Sequence, residues 1–167
     1  MRRFLDTFLY EDGAFLVDEV LRLDADERAI VARMDTLRPL PMSALQRTSE
    51  NHPAHVSAAE LLQATGSLGC MHAWFFYGCR WDEGWAGFGN RIHRADFKEL
   101  AHLGPPLELA SRETRSRVGK ERIVLRYEFR FTQQGRLVYA GDQTAMFVKS
   151  RNLAAASAAH AGKLDAD

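Results

Sequence analysis

The stretch SENHPAHVSAAELLQATGSLGCMHAWFF, from Ser49 to Phe76, constrains the fold more than any other part of this chain. A polar loop carrying His52 and His55 runs into a long segment built from Ala58, Ala59, Ala64, Gly66, Ser67 and Gly69. Small side chains let a helix axis approach neighbouring backbone closely, so this segment reads as one helix, about Ser57 to Tyr77, enclosed by a sheet. Its N-terminus presents unpaired N–H groups and the positive end of the helix dipole, an arrangement able to polarise a carbonyl.

The flanks supply the sheet. Ala14–Leu23 and Glu27–Asp35 read as two strands of a hairpin around the turn-forming Asp24-Ala25-Asp26. Thr36 to Asn51, with Pro39 and Pro41 and no sustained period, reads as a loop feeding the helix. Beyond the helix, strands are expected near Trp85–Phe97, Leu107–Arg117, Glu121–Thr132 and Leu137–Lys149. In the third of these, Ile123, Leu125, Tyr127, Phe129 and Phe131 alternate with Arg122, Arg126, Glu128 and Arg130, marking one buried and one polar face. Two strands, one buried helix and four hairpin-linked strands make an α+β order in which an antiparallel sheet wraps one central helix. Residues 1–149 are expected to form a single domain, and the Ala-rich segment 150–167 a flexible tail.

Composition excludes several classes. With 22 Lys and Arg against 22 Asp and Glu there is no basic field for nucleic acid. No apolar run approaches the roughly 20 residues of a membrane span. Two cysteines are too few to staple 167 residues, and MRRFLDTFLYEDG lacks the pattern of a signal peptide, so a cytoplasmic protein with reduced thiols is expected.

Candidate chemistry converges on the helix start. Histidine is the side chain suited by type to proton exchange near neutrality, which makes His52 and His55 candidates for it. Ser57-Ala58-Ala59-Glu60 has the spacing of a capping box, so Glu60 is either a cap or a proton-transfer group. His72 lies inside the apolar helix and reads as a hydrogen-bonded core or interface residue. Cys70 reads as a small hydrophobe rather than a nucleophile. No His, Cys or carboxylate set has metal-ligand spacing, so no metal is expected. The aromatic run Trp74, Phe75, Phe76, Tyr77, Trp81, Trp85 and Phe88 is read as packing or as the wall of a tunnel.

The order of these segments resembles the hot-dog fold. FLVDEVLRLDADERAIVARMD resembles the opening hairpin of the 3-hydroxyacyl-acyl-carrier-protein dehydratases, LLQATGSLG their central helix, and RIHRADFKELAHLGPPLELASRETRS their next two strands. RLVYAGDQTAMFV resembles the closing strand, so the likeness covers residues 14 to 148. The loop HPAHVSAAE lacks the Pro-Gly of those enzymes. Aligned on Gln63-Ala64-Thr65-Gly66, Glu60 stands one residue, about 100° of helix, from the family's acid. The short His-to-Glu spacing in HVSAAELL is similar instead to a long-chain fatty-acyl-CoA thioesterase family of the same fold.

The resemblance implies acyl-thioester chemistry, with hydrolysis first, dehydration of a 3-hydroxyacyl thioester second, and a non-catalytic acyl-binding subunit as the alternative from another class. In hydrolysis Glu60 or His55 would deprotonate water while the N–H groups of Val56 and Ser57 polarise the thioester carbonyl; in dehydration a histidine, His55 or His52, would remove the α-proton and Glu60 would return a proton to the hydroxyl, the alternative being that both histidines are ordinary polar residues of the loop. Arg91 and Arg94 read as solvated surface charges or as the residues that would meet the phosphates of coenzyme A or a phosphopantetheine arm. No cofactor is implied beyond the coenzyme A or acyl carrier protein that bears the substrate. A homodimer or higher homo-oligomer is implied.

Overall fold

The computed structural model describes residues 1–149; the segment 150–167, expected to be a flexible tail, lies outside the described residues. A short helix α1 (Arg2–Asp6) precedes the hairpin β1 (Glu19–Asp24) and β2 (Ala29–Met34). After the one-turn helix α2 (Pro41–Ala44) comes the 20-residue α3 (Ala58–Tyr77), and then β3 (Trp85–Phe97), β4 (Leu107–Val118), β5 (Arg122–Gln133) and β6 (Arg136–Lys149).

Local sequence sets both ends of α3. Ser57 is extended at the N-cap and forms a reciprocal capping box with Glu60, while Gly78 closes the helix in the left-handed conformation, φ 66°, its N–H bonding the Ala73 carbonyl. The six strands form one antiparallel sheet in the order β1-β2-β4-β5-β6-β3, which places β3 on an edge. Gln133 pairs with Arg136 across a two-residue turn whose Gln134 and Gly135 both have positive φ, as a primed hairpin turn requires. The alternation read in β5 holds: Ile123, Leu125, Tyr127, Phe129 and Phe131 are all buried beneath α3.

Three expectations change. Ala14–Val17 is not strand: Phe15, Leu16 and Val17 are buried, and the Leu16 N–H bonds Ser67 Oγ of α3 at 3.1 Å, so an apolar run read as half of a strand is a core-filling loop. The 36–51 loop contains α2, because Pro41 occupies a first-turn position where its missing N–H costs nothing. The small residues of α3 divide by role. Ala64, Ser67 and Gly69 are buried, and a Cβ on Gly69 would meet the Tyr127 ring at 3.6 Å. Gly66 is exposed, and a Cβ there would meet nothing within 4 Å. It borders a void rather than a close contact.

The aromatic run divides likewise. Trp74, Trp81 and Trp85 join the core, where Phe4 of α1 packs against Trp74 and Phe15 with ring centroids at 5.4 and 5.3 Å, whereas Phe88 is exposed. No helix among the described residues is long and apolar enough to cross a membrane.

Candidate functional site

The void beside Gly66 is a cavity of about 450 Å³ between α3 and the β3–β6 edge of the sheet. Leu62, Thr65, Gly66, Gly69 and Cys70 form its helical wall; Tyr127, Phe129 and Phe147 close it from the sheet. These helix positions recur at intervals of three and four, so they share one face of α3, and Ala59 continues that face toward the N-terminus. Along α3 the lining of the cavity extends from Leu62 to Cys70.

Its polar lining is mostly uncharged. Thr65 Oγ1 lies 2.6 Å from the Leu62 carbonyl and 3.0 Å from Gln143 Oε1, and Gln143 Nε2 donates to Tyr139 Oη at 2.9 Å. Arg91 is the sole charged residue in the lining among the described residues. Arg94 is elsewhere, 3.6 Å from Asp96 in an exposed ion pair. Cys70 is half-buried at the cavity wall, and burial pushes its thiol up to about 12, which leaves it un-ionised.

Glu60 occupies a separate, closed site. Its side chain turns away from the cavity, the residue is 4% exposed, and the carboxylate receives five donors. Oε1 accepts from the N–H groups of Met42 (2.7 Å) and Ser43 (3.0 Å); Oε2 accepts from Ser43 Oγ (2.7 Å), the Ser57 N–H (3.2 Å) and Ser57 Oγ. Burial alone would raise its pKa, but the bonds from Ser57, Ser43 and Met42 outweigh it and hold the carboxyl below its ordinary value. Glu60 thus caps α3 and anchors α2 at once. The second half of that clasp, Met42 and Ser43, was not foreseen from sequence; the signal was Pro41 starting a turn within reach of a buried acid.

The two N–H groups expected to face a carbonyl are engaged within the protein. That of Val56 bonds the Ala101 carbonyl at 2.7 Å, and that of Ser57 is shared between Ser43 Oγ (2.9 Å) and Glu60. Ala58 and Ala59, the first helical residues, are exposed beside them.

His52 and His55 lie together, ring centroids 5.2 Å apart and edge to face. His55 Nδ1 is 2.8 Å from the Pro53 carbonyl and His52 Nδ1 is 3.1 Å from that of Arg47. A carbonyl only accepts, so each Nδ1 is the donor, which in a neutral ring leaves the lone pair on Nε2. The Gln46 amide fixes the His55 backbone from both sides, at 3.0 and 3.2 Å. Neither ring lines the cavity.

His72 faces the sheet, fully buried, with Nε2 2.9 Å from Ser111 Oγ and Nδ1 without a partner among the described residues. The neutral tautomer protonated at Nε2 leaves only an acceptor orphaned. Burial, with a contribution from Arg28, lowers its pKa to about 3. Among the described residues no cluster of three or more His, Cys, Asp or Glu could hold a metal.

No family model matches the sequence, and no curated protein matches it significantly. Solved structures do. A hypothetical thioesterase from Streptococcus pneumoniae, solved with coenzyme A, is 14% identical at a TM-score of 0.58, covering 87% of this chain and 97% of that one. The dehydratase heterocomplex ApeI:P of Xenorhabdus doucetiae gives 13% identity and a TM-score of 0.57, with 89% of each chain covered. The thioesterase HI1161 of Haemophilus influenzae gives 14% and 0.55, over 89% of this chain and 90% of that one. With the strand order, the single enclosed helix and these matches in hand, the chain has the hot-dog fold.

Proposed function

We propose that the protein binds fatty-acyl thioesters and hydrolyses them. The observation that supports this reading is the cavity along α3, whose lining begins at Leu62, about one turn from the helix start, so that a thioester carbonyl lying just beyond it would reach exposed backbone donors. The N–H groups of Ala58 and Ala59 replace those of Val56 and Ser57 as donors to the developing oxyanion, since the latter are already bonded. His55 Nε2, a free lone pair on a ring oriented by Pro53, takes a proton from water; hydroxide adds to the carbonyl carbon. Collapse of the tetrahedral adduct breaks the C–S bond, and the departing thiolate takes the proton back from the imidazolium. No cofactor enters this sequence. His52 supports the neighbouring ring, and Arg91 at the cavity wall meets a phosphate of coenzyme A or of a carrier-borne phosphopantetheine. Dehydration fits less well, because Glu60 is spent on five donors and cannot also serve a hydroxyl group.

The functional unit is a homodimer joined through β3. That 13-residue edge strand exposes Phe88, Ile92 and Phe97, and a long apolar edge invites pairing with a second copy. The two free cysteines suit a reducing cytoplasm. A non-catalytic acyl-binding role is the second reading, favoured by the lack of any carboxylate or histidine in the cavity lining among the described residues. Purified protein given a panel of acyl-CoAs and 3-hydroxyacyl-CoAs, with free thiol and enoyl product followed separately, tests both. Thiol release lost in His55→Ala supports hydrolysis; enoyl formation overturns it; binding with neither product selects the acyl-binding subunit.

A further inference from the structure

One wall of the cavity belongs neither to α3 nor to the sheet. Phe8 and Tyr10 line it from the N-terminal segment, which precedes the region of hot-dog resemblance. Two buried anchors bracket this segment. On one side Phe4 is 1% exposed within the aromatic core, and Arg3 Nε and Nη2 both bond Asp82 Oδ2, at 3.1 and 2.9 Å. On the other, Phe15 and Leu16 are buried, with the Leu16 N–H on Ser67 and the Ala14 carbonyl on Gln63 Nε2 at 2.9 Å. Between the anchors, residues 8–11 make no hydrogen bond to α3 or the sheet among the described residues; the Phe8 N–H reaches back only to Leu5. Phe8 packs on Phe4 and Phe15 at 5.2 and 5.1 Å, and Tyr10 leans on Phe8 at 5.9 Å while remaining 57% exposed.

From this we infer that residues 8–10 form an adjustable wall of the cavity and that Phe8 and Tyr10 set the length of the acyl chain it accepts. The remaining walls are fixed. Tyr127, Phe129 and Phe147 sit in the paired centre of the sheet, and moving Thr65 or Gly69 means moving a 20-residue helix. Residues 8–11 can shift without unpairing a strand, because among the described residues they make no hydrogen bond to α3 or the sheet and are held there by ring contacts. An acyl chain that outgrows the fixed walls meets these two rings, and removing a ring lengthens the space. The inference rests on the acyl-thioester reading for its ligand, but not for its geometry.

Two measurements on the full chain separate these. Calorimetry with non-hydrolysable acyl-CoA thioethers of increasing length compares wild type with Tyr10→Ala and Phe8→Ala. Labelling of Cys70 by an uncharged maleimide, slow in wild type because the thiol is un-ionised and therefore compared as rates relative to wild type, reports access to the cavity with no acyl ligand, the fully buried Cys79 being shielded. The expected result is that both variants favour longer chains, by about tenfold in relative affinity over wild type, and label Cys70 faster. Tyr10→Ala, being largely exposed, should melt with wild type, so a folding defect in Phe8→Ala leaves the test intact. An unchanged chain-length profile in Tyr10→Ala overturns the inference. If wild type binds no thioether of any length, the acyl-thioester reading falls, and the labelling rates decide: faster labelling in the variants sustains the adjustable wall, and equal rates refute it.

Discussion

Glu60→Gln separates a structural carboxylate from a catalytic one, and the five-donor geometry sets the magnitude. An amide presents one acceptor oxygen and one NH2. If the NH2 takes the Oε1 position it faces the N–H groups of Met42 and Ser43, two donors that cannot turn round. If it takes the Oε2 position, Ser43 Oγ and Ser57 Oγ can rotate to accept, and the Ser57 N–H still reaches Ser43 Oγ at 2.9 Å. The second orientation is cheaper, but the bonds that survive are no longer made to a charge. Bonds to charged groups contribute about 1.5–3 kcal/mol against about 1 kcal/mol for neutral ones, so weakening several should cost roughly 2–4 kcal/mol. For a chain of this size that lowers the melting temperature by about 4–16 °C. Turnover per folded molecule at low temperature should hold. Thermal denaturation and steady-state kinetics on one preparation provide the assay. A variant that melts with wild type but loses about 10²-fold or more in kcat would refute the structural role and make Glu60 a proton-transfer group.

His72 makes the protein acid-sensitive. Its folded pKa is lowered to about 3 while the unfolded chain binds the proton near 6.5, so its contribution is full above pH 6.5 and is lost as pH falls toward 3. Between pH 7 and pH 4 this amounts to about 3 kcal/mol, and His72→Gln should flatten that part of a urea-stability profile, whereas an unchanged slope contradicts the buried neutral ring. Gly66→Ala and Gly141→Ala should move stability in opposite directions. The first places a methyl in open space on a helix and should gain up to about 1 kcal/mol, while the second drives a Cβ into the Tyr139 ring, 2.8 Å away, and should cost about 1–3 kcal/mol. Light scattering should give a mass twice the 18.9 kDa of the chain, and Ile92→Glu on the β3 edge should return it to the monomer value; a wild-type monomer contradicts pairing through β3.

The sheet and the central helix were legible because their signals are local. Alternation in 123–131 and the capping-box spacing at 57–60 express the backbone's own periods, and β3 to β6 fall within one residue of their expected limits. Phe15-Leu16-Val17 misled because a short apolar run is the same for a strand and for a loop that plugs the core. The site was less legible, since sequence gives the spacing of side chains but not their partners. Glu60 read as either a cap or a proton-transfer group, and the further donors it holds, Ser43 and Met42, come from 17 and 18 residues away, while the Val56 N–H goes to Ala101, far along the chain. Gly66 looked like a contact point because glycine allows both close approach and empty space, and only the facing strands decide which.

Occupancy of the cavity along α3 by an acyl chain is tested most directly by calorimetric titration of acyl-CoA thioethers into wild type and Gly66→Phe. Gly66 is exposed to the cavity with no atom within 4 Å of its Cβ position, so a phenyl ring there fills the channel and leaves the core unaltered. Wild-type affinity should rise about fourfold per added methylene until the channel is full, the return expected for about 0.8 kcal/mol per buried CH2. Gly66→Phe, folded and melting close to wild type, should lose that dependence on chain length. If it binds every thioether as tightly as wild type does, and with the same increment per methylene, the acyl chain lies elsewhere and the account of this cavity is wrong.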